Sequence, residues 1–198
     1  MYPVLQYCPI FKHLNNNRLS ELLKKIHFQI KRYGKSQIIA LSDEICTNLH
    51  IILKGSVKGE MSDAAGKTIK IEDIKAPQTI ASIFLFGKHN RFPVTVIANE
   101  PTEIMLIPKE SVLKLFQMNS IILNNYLDIM SDRTYLLTEK MKFLSFKTIR
   151  GKIAHFLLTQ PLNDKQEIYL DRTQQELADL FGVTRPSLAR AFGDLDRE

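Results

Sequence analysis

Two arginines near the end of this sequence, Arg185 and Arg190, stand on either side of Ser187. Arginine carries a planar guanidinium that can bond guanine O6 and N7 together in the DNA major groove. Three further residues, Thr173, Gln175 and Thr184, offer hydroxyl and amide groups that hold phosphate oxygens well when they sit at helix N-termini. Six such groups within 18 residues describe one chemistry, contact with a duplex nucleic acid, if the chain positions them together.

The intervening residues predict that positioning. Thr173 followed by Glu176 makes a capping box. Leu177, Ala178 and Phe181 then give the first helix an apolar face, and small Ala178 allows close crossing. Gly182 falls after the last turn, where a residue tolerant of positive φ is needed, and Val183 packs under the turn. Thr184 caps a second helix with Pro186 in its first turn, where a missing N–H costs nothing. Leu188, Ala191 and Phe192 face inward, which turns Arg185, Ser187 and Arg190 outward. The pattern is a helix-turn-helix of the DNA-binding kind, with double-stranded DNA as partner. The competing reading is an ordinary helical hairpin with a solvated basic face.

Composition bounds the remainder. The chain has 198 residues, 44% hydrophobic and 24% charged, as expected of a globular protein of one large domain or two small ones. No apolar run reaches the ~18 residues that span a bilayer. The N-terminus lacks the charged and apolar regions of a signal peptide, so a cytoplasmic location without membrane association is expected. Two cysteines, Cys8 and Cys46, are too few for a disulfide framework or a four-thiolate iron–sulfur cluster. The net charge of +6 suits a polyanion. The excess lies mostly before Lys75, however, while Glu139 to Glu198 is nearly neutral, so charge adds little to the DNA argument. No Ser/His/Asp arrangement, metal-ligand spacing, phosphate-cradling glycine loop or carboxylate pair suggests an enzyme.

Along the chain, Leu14 to Ile30 carries Leu19, Leu22, Leu23 and Ile26 at helical spacing and predicts one amphipathic helix. Short strands follow: Ile38 to Leu41, Leu49 to Lys58 with a glycine turn inside, Thr68 to Glu72, Pro93 to Ala98, and Thr102 to Ile107. Ser62 to Gly66 is turn chemistry. Such strands predict an antiparallel barrel or roll. Lys109 to Met118 is a short helix, and Ser120 to Leu144 the longest one. Its apolar seam, Leu123, Leu127, Met130, Leu137, Met141 and Leu144, steps by 4, 3, 7, 4 and 3, with Thr134 completing the heptad register. A seam of that length predicts a two-fold homodimer rather than a helix lying wholly on its own domain. Thr148 to Leu158 is another helix, Pro161 to Lys165 a polar loop, and Glu167 to Asp171 a short strand.

The class is therefore α+β. An N-terminal antiparallel β-roll with flanking helices occupies 1–118, a dimerisation helix 119–145, and a helix-turn-helix domain 146–198. Domains of this layout often carry a β-hairpin wing after the second helix. The chain stops at Glu198 as that helix ends, so a winged-helix domain lacking its wing is expected.

In this order of parts the sequence resembles the Crp/Fnr superfamily of bacterial transcription regulators over essentially its whole length. Ile51-Ile-Leu-Lys-Gly-Ser-Val-Lys58 is similar to the family's strand-glycine-strand turn, and Ile97 to Ile107 to its last roll strands. Gly151-Lys-Ile-Ala154 matches the Gly-Arg-Ile-Ala start of its DNA-binding domain, and Thr173 to Arg190 its helix-turn-helix. The resemblance implies a cyclic-nucleotide-binding-like roll and contact with RNA polymerase. It also implies that Thr173, Gln175 and Thr184 hold phosphates, while Arg185 and Arg190 read bases. The family often has Glu after the first of these arginines; here it is Pro186, so a different half-site is expected.

The roll departs further. Cyclic-AMP binders of the family use Gly-Glu for the ribose and Arg-Ser for the phosphate. The matching stretch here is Ile80-Ala-Ser-Ile-Phe-Leu-Phe-Gly87, with Phe92-Pro93 in place of Arg-Ser and no acid. Leu137-Thr138 stands where the family has Thr-Ser on the dimer helix. An anionic nucleotide would lose its charge-assisted bonds there, so cyclic AMP is not expected. Phe84, Phe86, Phe92 and Leu137 either line a pocket for an apolar effector, with haem as one candidate, or fill the core. Haem needs an axial His or Met; His50, His89, Met61 and Met105 lie in or near the roll, and no spacing singles one out. The effector stays unidentified. Beside the leading expectation, a DNA-binding regulator, stands a second: a sensor acting through protein partners with little DNA binding.

Overall fold

Residues 49–53 and 104–107 hold a single polar side chain between them, His50, and every one of these residues is buried. They lie in the central strands of the first sheet in the computed structural model, which describes residues 2–62, 68–145, 148–160, 168–170 and 172–197. Strand β3 (Asn48–Lys54) pairs antiparallel with β8 (Thr102–Pro108), placing Ile51 opposite Met105. The strand order is β1-β8-β3-β6, with β1 at Gln29–Tyr33 and β6 at Thr79–Ile80. Burial is continuous along β3 because one face meets the roll core while α2 (Lys109–Met118) packs on the strand. Fully burying an Ile or Leu side chain contributes about 1.5–3 kcal/mol, so these two strands anchor the roll.

The second sheet runs β2-β7-β4-β5. Its strands are Ile38–Ala40, Thr95–Ala98, Ser56–Ser62 and Thr68–Lys75 for β2, β7, β4 and β5 in turn. All pairings are antiparallel. Val57 and Val96 meet Leu49 and Ile51 of the first sheet in one apolar cluster. The outer strand β5 has almost every side chain exposed and carries Lys70, Glu72, Asp73 and Lys75, charges that discourage edge-to-edge pairing. Gly55 turns the chain from β3 to β4 at φ +86°, where a Cβ would stand 2.6 Å from Thr102 Oγ1 and 2.8 Å from the Pro101 carbonyl oxygen. Only glycine fits so close an approach.

The predicted helix from Leu14 to Ile30 is shorter. Helix α1 covers Asn16–Leu23, with Asn15 Oδ1 accepting from the Arg18 N–H at 2.8 Å. Beyond it the backbone enters β1, which pairs with β8 from Gln29 opposite Leu106 to Tyr33 opposite Thr102. The ladder on an already buried strand outweighs the helical spacing of Ile26 and Ile30. Strand β6, two residues long, is missed by sequence patterning, as are the short 3-10 helices at Pro3–Tyr7, Pro9–Phe11 and Ser82–Phe84.

Helix α3 spans Ser120–Ser145. Extended Asn119 separates it from α2, and Asn119 Oδ1 accepts from the N–H groups of Ile121 and Ile122 at 2.9 and 3.3 Å. The chain divides into two compact units at Arg133 and Thr134. In the first, Ile122 and Tyr126 are buried in the core, and Asn125 Nδ2 donates to the Ile10 and Lys12 carbonyls at 3.1 and 2.8 Å.

The second unit holds α4 (Ile149–Leu158), α5 (Gln174–Phe181) and α6 (Arg185–Leu195) around Ile153, Leu177, Ala178, Phe181, Leu188 and Ala191. The strand expected from Glu167 to Asp171 is absent at 168–170; Glu167 and Asp171 themselves lie outside the described residues. Among the described residues of this unit no strand is present to pair with them, so they gain no ladder bonds. The expected loop at Pro161 to Lys165, and all but Ser62 of the expected turn at Ser62 to Gly66, also lie outside the described residues. Among the described residues no helix is long and apolar enough to cross a membrane.

Candidate nucleic-acid interface and roll interior

Both helix starts of the expected helix-turn-helix are capped as their residue types require. Thr173 Oγ1 accepts from the Glu176 N–H at 3.3 Å, and Glu176 Oε2 accepts from the Thr173 N–H at 2.7 Å, a complete capping box. The Thr173 N–H first, and the Thr173 hydroxyl after it, both donating to Oε2, hold the Glu176 carboxyl below its usual pKa. Gly182 takes φ +65° and ψ 36°, the left-handed conformation expected after α5. Val183 N–H then donates back to the Ala178 carbonyl at 3.0 Å. Thr184 Oγ1 accepts from the Ser187 N–H at 3.4 Å and lies 2.8 Å from Ser187 Oγ. Buried Ala178 lets the helices approach, and Leu188 fills the space between them at 0% exposure.

That packing leaves Arg185 and Arg190 exposed on α6, with Ser187 half-buried beside them. Arg190 Nε reaches back to the Pro186 carbonyl at 3.5 Å, which tilts its guanidinium toward the N-terminal end of the helix. Thr173, Gln175 and Thr184 are also exposed, at or beside the N-terminal ends of α5 and α6. Gln175 Nε2 is bonded to Asp179 Oδ1 at 2.9 Å, and the Thr173 hydroxyl to Glu176 Oε2 at 2.9 Å. Both groups must turn from these partners to meet a phosphate.

The aromatic residues of the roll do not share one lining. Phe92 is 2% exposed and stands edge-on to His50, with ring centroids 5.3 Å apart. Phe86 packs instead against Phe116 and Tyr126, at 6.2 and 5.7 Å, with Lys109 Nζ 5.1 Å above its ring. Phe84 is half-buried. Leu137 belongs to the second unit and is 54% exposed. Of the residues considered for haem, Met105 and His50 are buried, while Met61 and His89 are exposed. Both thiols are core groups; burial pushes Cys8 up to about 12 and Cys46 up to about 11, so neither is a ready nucleophile. Among the described residues no His, Cys, Asp and Glu cluster could hold a metal ion.

Along α3 the seam is partly exposed in the single chain, and Met130 packs against the core of the first unit. Leu127 is 52% exposed and Met141 71%; Thr134 is exposed as well, while Leu123 and Met130 are half-buried. The Leu144 side chain lies outside the description.

A β-roll in one unit and a capped helix-turn-helix with outward arginines in the other define a regulator with a sensor-type domain and a DNA-binding domain. Comparison with known proteins agrees on both parts. Residues 30–119 match the cyclic nucleotide-binding domain and residues 151–198 the Crp-like helix-turn-helix domain. The cAMP-activated global transcriptional regulator Vfr of Pseudomonas aeruginosa is 26% identical over 202 residues, 98% of this chain and 91% of its own. The cAMP-activated global transcriptional regulator CRP of Salmonella typhimurium is 26% identical over 175 residues, 86% of this chain and 83% of its own. A transcriptional regulator from Thermotoga maritima superposes with a TM-score of 0.60 at 35% identity, over 64% of this chain and 97% of that one. The chain belongs to the Crp/Fnr family of DNA-binding transcription regulators.

Proposed function

We propose that this regulator works in the cytoplasm as a homodimer whose two α6 helices read a near-palindromic site about one helical turn apart. Arg185, Ser187 and Arg190 meet base edges; Thr173, Gln175 and Thr184 meet phosphates. The observation that carries this reading is the exposed N-terminal half of α6, with both arginines clear of the unit's core. Leu123, Leu127, Met130, Thr134, Leu137, Met141 and Leu144 form the dimer seam. Its support is the exposure of Leu127, Leu137 and Met141 on a 26-residue helix, a face that a second copy would cover. Regulators of this family typically dimerise and contact RNA polymerase, and the same is proposed here.

In this reading cyclic AMP is not the effector. Phe92 and Pro93 replace the family's Arg-Ser pair, and Phe92 is packed inside the roll, where it offers a phosphate nothing. A signal reaching the roll shifts α3 and with it the population of DNA-competent dimers.

The test is binding of wild type and Arg185→Ala to a duplex selected by the wild-type protein from a random pool. Arg185→Ala is expected to lose about 1–3 kcal/mol on that site and to relax specificity at one base pair. Equal affinity would remove α6 as the reading helix. Failure of the wild type to select any site would favour the sensor that acts through protein partners.

A further inference from the structure

The run Gly151-Lys-Ile-Ala154 opens the DNA-binding unit, and only part of it is explained by core packing. Gly151 N–H donates to Thr148 Oγ1 at 3.0 Å and so completes the cap of α4. Ile153, at 0% exposure, is the contribution of α4 to the core under α5 and α6. Lys152 faces elsewhere: its Nζ donates to the carbonyl oxygen of Phe181 at 2.7 Å.

Phe181 is the last residue of α5. The last carbonyls of a helix have no partner within it, and they form the negative end of its dipole. The backbone bonds that close the turn run from Gly182 and Val183 to the carbonyls of Ala178 and Asp179, not to Phe181. An ammonium from α4 therefore meets this carbonyl at the step before the left-handed Gly182. Three residues after Phe181, Thr184 caps α6. Lys152 thus pins to α4 the point from which the turn launches α6. A second tie, Arg150 Nη2 to Asp194 Oδ2 at 3.7 Å, joins α4 to the far end of α6. Both of its side chains are about half exposed, so it contributes little.

Resting on the DNA-binding reading above, we propose that Lys152 is a positioning residue for base recognition, which sets the direction of α6 by holding the end of α5 and touches no phosphate itself. Base readout demands hydrogen bonds aligned at both arginines, whereas phosphate attraction tolerates small rotations. Losing the pin therefore separates the two kinds of binding.

The experiment uses the full chain as wild type, Lys152→Met, Lys152→Gln and Lys152→Arg. Each is titrated with the duplex that the wild type selects from a random pool and with an unrelated duplex of equal length, across a range of salt. Lys152→Met is expected to bind the selected site about tenfold more weakly, the size of one lost charged hydrogen bond. Its binding to the unrelated duplex and its slope against salt should stay as in the wild type. Lys152→Arg, which keeps a charged donor, should recover most of the loss. Amide exchange at 182–187 in the free protein should quicken in Lys152→Met while the circular dichroism stays unchanged; Lys152→Gln supplies both readings if the Met variant does not fold. Unchanged affinity for the selected site would overturn the proposal. So would equal weakening on both duplexes with a salt slope smaller by about 0.9, the mark of a direct phosphate contact. A wild type that selects no site would instead remove the DNA-binding reading beneath it.

Discussion

The Tyr126 hydroxyl, on α3, donates to the Ser82 carbonyl oxygen at 2.7 Å, in the buried stretch that follows β6. Ala81 beside it holds φ +51°, an uncommon conformation for a residue with a Cβ, and Gly87 closes the stretch at φ +95°. Phe86 and Phe116 pack on the Tyr126 ring at 5.7 and 5.0 Å. One tyrosine thus links the stretch after β6 to α3, the helix on which the dimer seam is proposed. Burial pushes the phenol up to about 12, so it remains a donor throughout the physiological range. Tyr126→Phe keeps the ring and removes the bond. It is expected to cost about 1–2 kcal/mol in urea denaturation, and amide exchange at 81–87 should speed up more than at β3. Equal acceleration everywhere would mean that the bond adds stability without linking these elements.

A pH effect follows from His50. It is 7% exposed, its Nδ1 lies 2.9 Å from the Asn48 carbonyl oxygen, and its ring edges against Phe92. Burial lowers its pKa; the Asn48 carbonyl and Glu44 oppose the shift, and nearby Lys31 adds to it. The unfolded chain therefore takes up the proton first as pH falls. The stability that His50 contributes is complete above about pH 6.5 and is lost as pH drops through its lower folded value. Melting temperatures taken between pH 8 and 5 should show a decline in the wild type that His50→Gln reduces.

The capping box makes a separate acid-sensitive element in the second unit. The Glu176 carboxyl is held low by bonds from Thr173, so its contribution is present above about pH 4.5 and fades as pH falls through its folded value. Thr173→Ala should cost about 1 kcal/mol and weaken that dependence without abolishing it, because the carboxylate loses its hydroxyl donor and the Glu176 N–H its acceptor, while the N–H of residue 173 still donates to the carboxylate. Denaturation curves at pH 7 and pH 4 for the two proteins test this directly.

The α3 seam predicts a charge-sensitive dimer. Leu127→Glu combined with Leu137→Glu places like charges on a face that is exposed in the single chain. Folding of the chain should be little changed, whereas sedimentation equilibrium should show the shift from dimer to monomer. A wild type that sediments as a monomer at the concentrations used for DNA binding would remove the seam as an interface.

Much of this architecture is legible in the chain. The capping residues, the glycine after α5 and the apolar repeat identify both helices of the helix-turn-helix, because those signals are local. The turn at Gly55 is likewise written by its neighbours. The misreadings have one physical origin. Ile26 and Ile30 repeat at helical spacing, yet β1 forms there because β8 offers a ladder from a distant part of the chain. Ile168, Tyr169 and Leu170 form a short apolar run of strand-forming types, but among the described residues of their unit no strand is there to pair with them. Phe86 and Phe92, six residues apart, meet different rings, with Gly87 at φ +95° between them, an arrangement that residue types alone leave open.

What the sequence determined by itself is therefore whatever rests on bonds within a turn or two: helix caps, the left-handed glycines, the heptad on α3 and the outward arginines of α6. Only the tertiary structure decided the groups joined across long separations. Lys152 on the Phe181 carbonyl, Tyr126 on the Ser82 carbonyl and Asn125 on the Ile10 and Lys12 carbonyls are the main cases. Each ends on a backbone oxygen, an acceptor that every residue carries, and so leaves no mark in the residue types by which a sequence could announce it.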